Sequence, residues 1–255
     1  MSTYQVFALK FAGPFTSSGA LLWWNRDWDR RVERAYYLWL VRGEAGALLV
    51  DAGLGPAQAR ARGLSPYQSP ARVVARAGLA PEEVERVALT HLHWDHAGGV
   101  NLFPRARVYV SAPEWRFWME EPVSRTPPFM AVCDQATRDE LAALERAGRL
   151  ELVEDGRELL PGVRCHLAPG HTPGLMVISL PTASGTAVIG SDCGHTFRNY
   201  REHWPSIFIT DLAAWMRSLP RVTALASSPE LVFPGHDIAL CRDYPQVAEG
   251  VHRLA

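Results

Sequence analysis

Three imidazoles and a carboxylate lie within six residues, His91-Leu92-His93-Trp94-Asp95-His96. The run follows the apolar Val87-Ala88-Leu89 and precedes Ala97-Gly98-Gly99, where bulky side chains are absent. In an extended segment leaving a strand, residues two apart point the same way, so His91 and His93 face one point together. Asp95 and His96 then project toward a second point. Imidazole and carboxylate together suit zinc and similar first-row metals. Six residues supply too few ligands for two closed sites, so further donors are expected downstream. They are His171 in Pro169-Gly170-His171-Thr172-Pro173-Gly174, Asp192 in Gly190-Ser191-Asp192, and His236 in Pro234-Gly235-His236-Asp237. Each stands where a predicted strand gives way to a loop, and glycine nearby lets backbone turn sharply and approach closely.

Strands and helices must deliver these residues. Runs rich in β-branched and aromatic residues predict strands over 4–11, 35–41, 47–51, 86–90, 107–111, 150–153, 163–168, 175–180, 186–190 and 231–233. The second and third pair through the glycine-containing turn 42–46. Helices are predicted over 70–77, from near His96, over 113–121, 135–147, 211–219 and 244–254, with Pro220 closing the fifth. Residues 13–34 lack a period and read as a loop. Its Trp23, Trp24 and Trp28 either plug against a sheet or wall an apolar substrate cleft. The same choice, core or cleft wall, holds for Trp115, Phe117 and Trp118. Strands then helices, twice over, suit two sheets packed face to face with helices outside. No linker or low-complexity segment interrupts the chain, so residues 1–255 read as a single domain.

The ordered motifs HxHxDH, PGHTPG, SD and PGHD resemble the metallo-β-lactamase superfamily over most of the chain. THLHWDHAGG and FPGHD are most similar to its N-acyl-homoserine lactone lactonase family. The resemblance implies an α/β fold, the four-layered αββα sandwich. It implies two divalent metal ions, zinc first, with manganese, iron and cobalt accepting the same donors. One ion would sit on His91, His93 and His171, the other on Asp95, His96 and His236, with Asp192 bridging. A hydroxide shared by the two ions would open a lactone ring. Asp95, Asp192 and His195 are then the expected catalytic residues. Members of the family carry Tyr three residues after the bridging Asp; here His195 stands there, an imidazole able to donate to an oxyanion or protonate a leaving alkoxide. Tyr200, in the loop after Asp192, is the candidate to supply the missing phenol. Asp51 is expected to support a metal ligand from behind. His93 replaces the Glu of flavodiiron relatives, which disfavours di-iron redox chemistry. The alternative reading is hydrolysis of another small electrophile: a β-lactam, aryl ester, organophosphate or halogenated aromatic. A non-catalytic metal-binding protein is the reading from a different class, and the intact donor set counts against it.

Composition bounds the rest. The chain has 255 residues, 47% hydrophobic and 21% charged, with net charge −1 and pI near 6.8. That is enough for a substantial core, and it carries no nucleic-acid footprint. Lys10 is the only lysine, so positive charge is almost all arginine. Cys133, Cys165, Cys193 and Cys241 show no CxxC spacing, and nothing reads as a disulfide framework. Cys193 is expected to be buried and inert. No signal peptide and no membrane-spanning run of ~18 apolar residues is evident. The expectation is a cytoplasmic protein acting on a small-molecule substrate, with no membrane partner; the family resemblance adds a homodimer.

Overall fold

β1 (Tyr4–Ser18) and β2 (Arg31–Gly43) pair antiparallel along nearly their whole length. The sheet grows through β3 (Gly46–Val50), β4 (Arg86–Ala88), β5 (Arg107–Ser111) and β6 (Leu150–Val153). The β2–β3 turn places Gly46 at φ 118°, a conformation that glycine adopts freely. From β3 to β6 the neighbours are parallel, so each connection crosses over one face and brings helices with it. A second sheet runs in the order β11, β10, β9, β8, β7. Its strands are β7 (Glu158–Leu160), β8 (Val163–Leu167), β9 (Met176–Thr182), β10 (Gly185–Ser191) and β11 (Val232–Pro234). The chain then returns to the first sheet as β12 (Gln246–Ala248) and β13 (Val251–Arg253), the latter paired with β1. These statements rest on a computed structural model that describes residues 3–255.

Strand alternation explains the layering. On β2, Tyr37, Trp39 and Val41 join Ile178, Ile189 and Phe233 in a core between the sheets. Tyr36, Leu38 and Leu40 point the other way, onto Val73, Val74, Leu141 and Leu144 of the helices outside. Both faces are buried, so this strand reads as a continuous apolar run. A third cluster packs Trp215, Leu219 and Val222 of the helix Leu212–Leu225 on the outer face of β9 and β10. The result is the expected four-layered αββα sandwich. No helix among the described residues is long and apolar enough to cross a membrane.

Several local expectations are corrected. Residues 13–34 are mostly ordered structure: β1 continues to Ser18, a helical turn covers Gly19–Leu22, and β2 begins at Arg31. The missing period reflects bulges in the β1–β2 register near Ala12 and Phe15. Pro220 lies inside the helix Leu212–Leu225 rather than closing it. The expected last helix, 244–254, is the β12–β13 hairpin. Gly250 turns at φ 77°, and the open edge of β1 supplies hydrogen bonds that outweigh local propensity. Strand β7 escaped notice because only three residues pair.

Candidate metal centre

β4 ends at Ala88, and after Leu89 and Thr90 the chain enters the donor-rich run. His93 caps a short helix, Trp94–Ala97, so Asp95 and His96 sit on its first turn rather than on an extended loop. His171 lies between β8 and β9, Asp192 directly follows β10, and His236 follows β11. Two non-glycine residues adopt left-handed backbone at strand ends here, Asp51 at φ 64° and Ser191 at φ 43°. Such conformations are uncommon and strained, and they cluster where side chains must be aimed. Gly235 is required for contact: an added Cβ would lie 2.0 Å from Asp192 Oδ1.

The fold brings all seven sequence-predicted donors together, and all are buried. His91, His93 and His171 form one group with donor atoms within 4.8 Å of one another; Asp95, His96 and His236 form another. Asp192 stands between them. Its Oδ2 is 3.4 Å from His171 Nε2, and its Oδ1 is 3.6 Å from His96 Nε2 and 3.1 Å from His236 Nε2. His93 Nδ1 and His171 Nε2 are 3.1 Å apart. Bonds of about 2.1 Å to a tetrahedral ion set its donors about 3.4 Å apart, so these spacings suit small divalent ions. His91 Nε2, His96 Nε2 and Asp192 Oδ1 are buried without a hydrogen-bond partner. Buried polar atoms are rarely left so, and ions would satisfy them.

The outward ring nitrogens fix this arrangement. His96 Nδ1 is 2.7 Å from Asp51 Oδ2, His171 Nδ1 is 2.9 Å from the Phe208 carbonyl, and His236 Nδ1 is 3.0 Å from the Ala35 carbonyl. Each outward N–H donates, which leaves an Nε2 lone pair facing inward. Thr90 Oγ1 donates to Asp51 and lies 3.1 Å from His91 Nδ1, giving that ring the same tautomer. Asp51 therefore stands behind the cluster, as the family resemblance implies. Glu114 holds the first group more broadly. Its carboxylate accepts from Leu92 N (3.0 Å), Trp118 Nε1 (2.6 Å), Thr172 Oγ1 (2.7 Å) and Gly174 N (2.9 Å). It thus joins the His91–His93 segment to the His171 loop, and the Trp118 ring stands edge-on to His93 at 5.5 Å.

Protonation follows burial and charge. Burial, reinforced by neighbouring imidazoles, holds His91, His93 and His195 well below the ordinary histidine range, and holds His171 at about 4. Burial also opposes charge on His96, but Asp95, Asp51 and Asp192 outweigh it and push that ring up to about 10. Asp192 is likewise disfavoured by burial, yet His236, His195 and His96 carry it well below the carboxylate range. Neutral imidazoles at His91, His93 and His171 beside an ionised Asp192 are what a cation-binding centre needs, and the proton on His96 is one that a bound cation would displace.

A narrow cavity of about 70 Å³ opens on the donors. Besides the donors it is lined by Leu21, Arg34, Tyr36, Trp94, His195 and Phe208. A second, apolar cavity of about 250 Å³ continues past His93 and His171 between Trp118, Phe129, Ile207 and Phe208. A larger open cleft of about 670 Å³, near Arg31 and Arg242, contains none of the clustered donors. His195 lies in the site: its Nε2 is 3.3 Å from Asp192 Oδ2 and its ring stacks on Phe208. Tyr200 does not reach the cleft. It sits on the helix Phe197–Glu202 with its hydroxyl packed against Gly190 in the outer core. Trp23, Trp24 and Trp28 do not line the donor cavity either. Trp23 is a buried plug bonded through Nε1 to Thr196, and Trp28 is 63% exposed. Of the second aromatic group, Trp118 is a cleft wall while Trp115 and Phe117 are core. Cys193 is buried with a free thiol that burial pushes up in pKa. Sequence reasoning missed Arg34, Tyr36 and Glu114. The one available signal was a carboxylate inside the heavily apolar stretch 113–119.

Comparison with known proteins agrees with this geometry. The family model described as the metallo-beta-lactamase superfamily matches residues 32–236. N-acyl homoserine lactonase AiiA of Bacillus thuringiensis subsp. kurstaki is 25% identical over 230 residues, covering 82% of this chain and 85% of that protein. A solved N-acyl homoserine lactone hydrolase, with N-hexanoyl-L-homoserine at its catalytic metal centre, superposes with TM-score 0.74 at 19% identity. The match covers 97% of this chain and 98% of that one. AidC, a dizinc quorum-quenching lactonase, gives TM-score 0.72 at 18% identity, over 93% of this chain and 91% of its own.

Proposed function

The chain belongs to the metallo-beta-lactamase superfamily, and on that premise we propose that it is a metal-dependent hydrolase that opens lactone rings, N-acyl-homoserine lactones among them. The observation that carries this reading is an apolar cavity running directly into a cluster of seven His and Asp donors. An ester group can lie on the donors while an acyl tail fills the cavity. The lactonase names of relatives such as AiiA support the same substrate class.

In this reading His91, His93 and His171 hold one divalent ion, Asp95, His96 and His236 hold a second, and Asp192 serves both. The dizinc neighbour makes zinc the first choice. Such ions supply a nucleophile at neutral pH by lowering the pKa of bound water, and they polarise a carbonyl as Lewis acids. The chain itself does the rest. Asp51, Thr90 and the Phe208 and Ala35 carbonyls hold the rings in one tautomer. Burial keeps His91 and His171 neutral. Phe208, Trp118 and Phe129 exclude water from the tail. His195, which lines the cavity, would donate an N–H hydrogen bond from its neutral ring to the departing alkoxide oxygen.

The test is a pH-indicator assay of the zinc-loaded protein against acyl-homoserine lactones, simple lactones, a β-lactam, an aryl ester and a phosphotriester. Lactone turnover should exceed the others and vanish with chelator. Asp192→Ala should lose both turnover and bound metal. Faster hydrolysis of the β-lactam, aryl ester or phosphotriester would replace the lactone assignment, and full activity in Asp192→Ala would overturn the donor assignment.

A further inference from the structure

The donor cavity has two unlike ends, and only one is explained by an acyl tail. The apolar lobe adjoins His93 and His171. Asp95, His236, Arg34 and Tyr36 line the donor cavity but not the apolar lobe. These two residues share a face of β2 because they are two apart. The Tyr36 ring stands edge-on to His236 at 5.2 Å and to Trp94 at 5.5 Å. The Arg34 guanidinium lies 4.9 Å above the Tyr36 ring, and its Nε donates to Ser17 Oγ at 2.7 Å. Among the described residues Arg34 is the only arginine or lysine lining this cavity. A guanidinium has five N–H donors and no acceptor, and a neutral phenol readily donates. The end of the cavity away from the tail is therefore built to meet an acceptor.

We propose that Arg34 and Tyr36 form the subsite for the ester end of the substrate, binding the carbonyl oxygen as it gains charge and the carboxylate of the ring-opened product. The proposal rests on the lactone-hydrolase reading above. In that reaction water adds to the carbonyl carbon and the acyl–oxygen bond breaks. The ring oxygen leaves as an alcohol with one proton, and a carboxylate and one proton remain. The charge that develops is on oxygen throughout, which is what a guanidinium and a phenol stabilise. Substrates are thereby oriented: tail over His93 and His171, ester toward His236, Arg34 and Tyr36.

The orientation gives a readout that a structural role would not produce. Tyr36→Phe and Arg34→Gln are compared with the unaltered protein, zinc-loaded and with metal content measured, on lactones carrying a short and a long acyl tail. Loss of one donor to a developing oxyanion should lower kcat/KM roughly 10- to 100-fold, at the low end of such effects because the metal ions share the charge. The factor should be the same for both tails, with metal content unchanged, and the ring-opened hydroxy acid should bind more weakly by calorimetry. Arg34→Lys should recover part of the loss. Phe129→Ala, in the other lobe, should instead lose more on the longer tail. Unchanged kcat/KM in both Tyr36→Phe and Arg34→Gln, or a loss that grows with tail length, overturns the subsite. A wild type that hydrolyses an aryl ester or phosphotriester but no lactone sinks the lactone reading alone, since the same comparison is then made on that substrate. No turnover of any of them by the wild type overturns both.

Discussion

Replacing Glu114 tests how the metal centre is held. Its carboxylate is fully buried and accepts four hydrogen bonds, two from backbone N–H groups of Leu92 and Gly174, one from the Trp118 indole and one from the Thr172 hydroxyl. In Glu114→Gln one carboxylate oxygen becomes an amide NH₂, which cannot accept. The Oε1 side serves Leu92 and Trp118; the Oε2 side serves Thr172 and Gly174. Placing the NH₂ on the Oε2 side is less disruptive, because the Thr172 hydroxyl can rotate and accept from it. One buried backbone N–H, that of Gly174, is still orphaned, at a cost of about 1–3 kcal/mol. Glu114→Ala orphans both backbone N–H groups and the indole, so about 3–9 kcal/mol is lost, against a total stability of roughly 5–15 kcal/mol. The assay is urea unfolding of the metal-free protein, with the shift read from the midpoint at constant m. Because the carboxylate ties His91 and His93 to His171, Glu114→Gln should also weaken metal binding about 10- to 100-fold in competition with a chelator. A Gln variant with the wild-type midpoint and wild-type metal affinity would refute the claim that this carboxylate positions the first donor group.

Two further outcomes follow from the same geometry. Asp51→Asn should weaken metal binding by about 10- to 100-fold in chelator competition, because His96 Nδ1 then loses a charged acceptor at 2.7 Å; donor occupancy that is unchanged in the variant counts against it. Glu140 is pushed up to about 7 by burial, helped by Asp134. A carboxyl raised in the folded state weakens the fold as pH climbs from its unfolded value to about 7, and the penalty is complete above that. Glu140→Gln should therefore stabilise at pH 8 by on the order of 1 kcal/mol, discounted for partial exposure, with the gain gone near pH 4.5. Equal unfolding midpoints at both pH values would contradict it.

The chain's own sequence pointed to the His and Asp residues that the fold clusters, because each obeys a local rule. His91, His93, Asp95 and His96 lie within six residues, and His171, Asp192 and His236 each follow a recognisable apolar run beside a glycine. The order of strands then helices, twice over, likewise suited two packed sheets, and the family resemblance supplied the four-layered sandwich. What a single stretch cannot encode is which distant residue faces it. Arg34 reads as the end of a loop and Tyr36 as an ordinary strand position until β2 is laid beside the His236 loop, whose ring bonds back to Ala35. Glu114 looks like one charge in an apolar helix until two loops converge on it. Residues 244–254 carry enough apolar spacing for a helix, and only the free edge of β1 makes them a hairpin. Tyr200 shows the converse: sequence proximity to Asp192 placed it near the site, but the helix it rides on turns its phenol into the outer core. Donor identity was set by residue type and local spacing. The partners that orient those donors, and the walls that choose a substrate, were set by long-range packing, which brings together residues more than a hundred positions apart for reasons of shape and buried area.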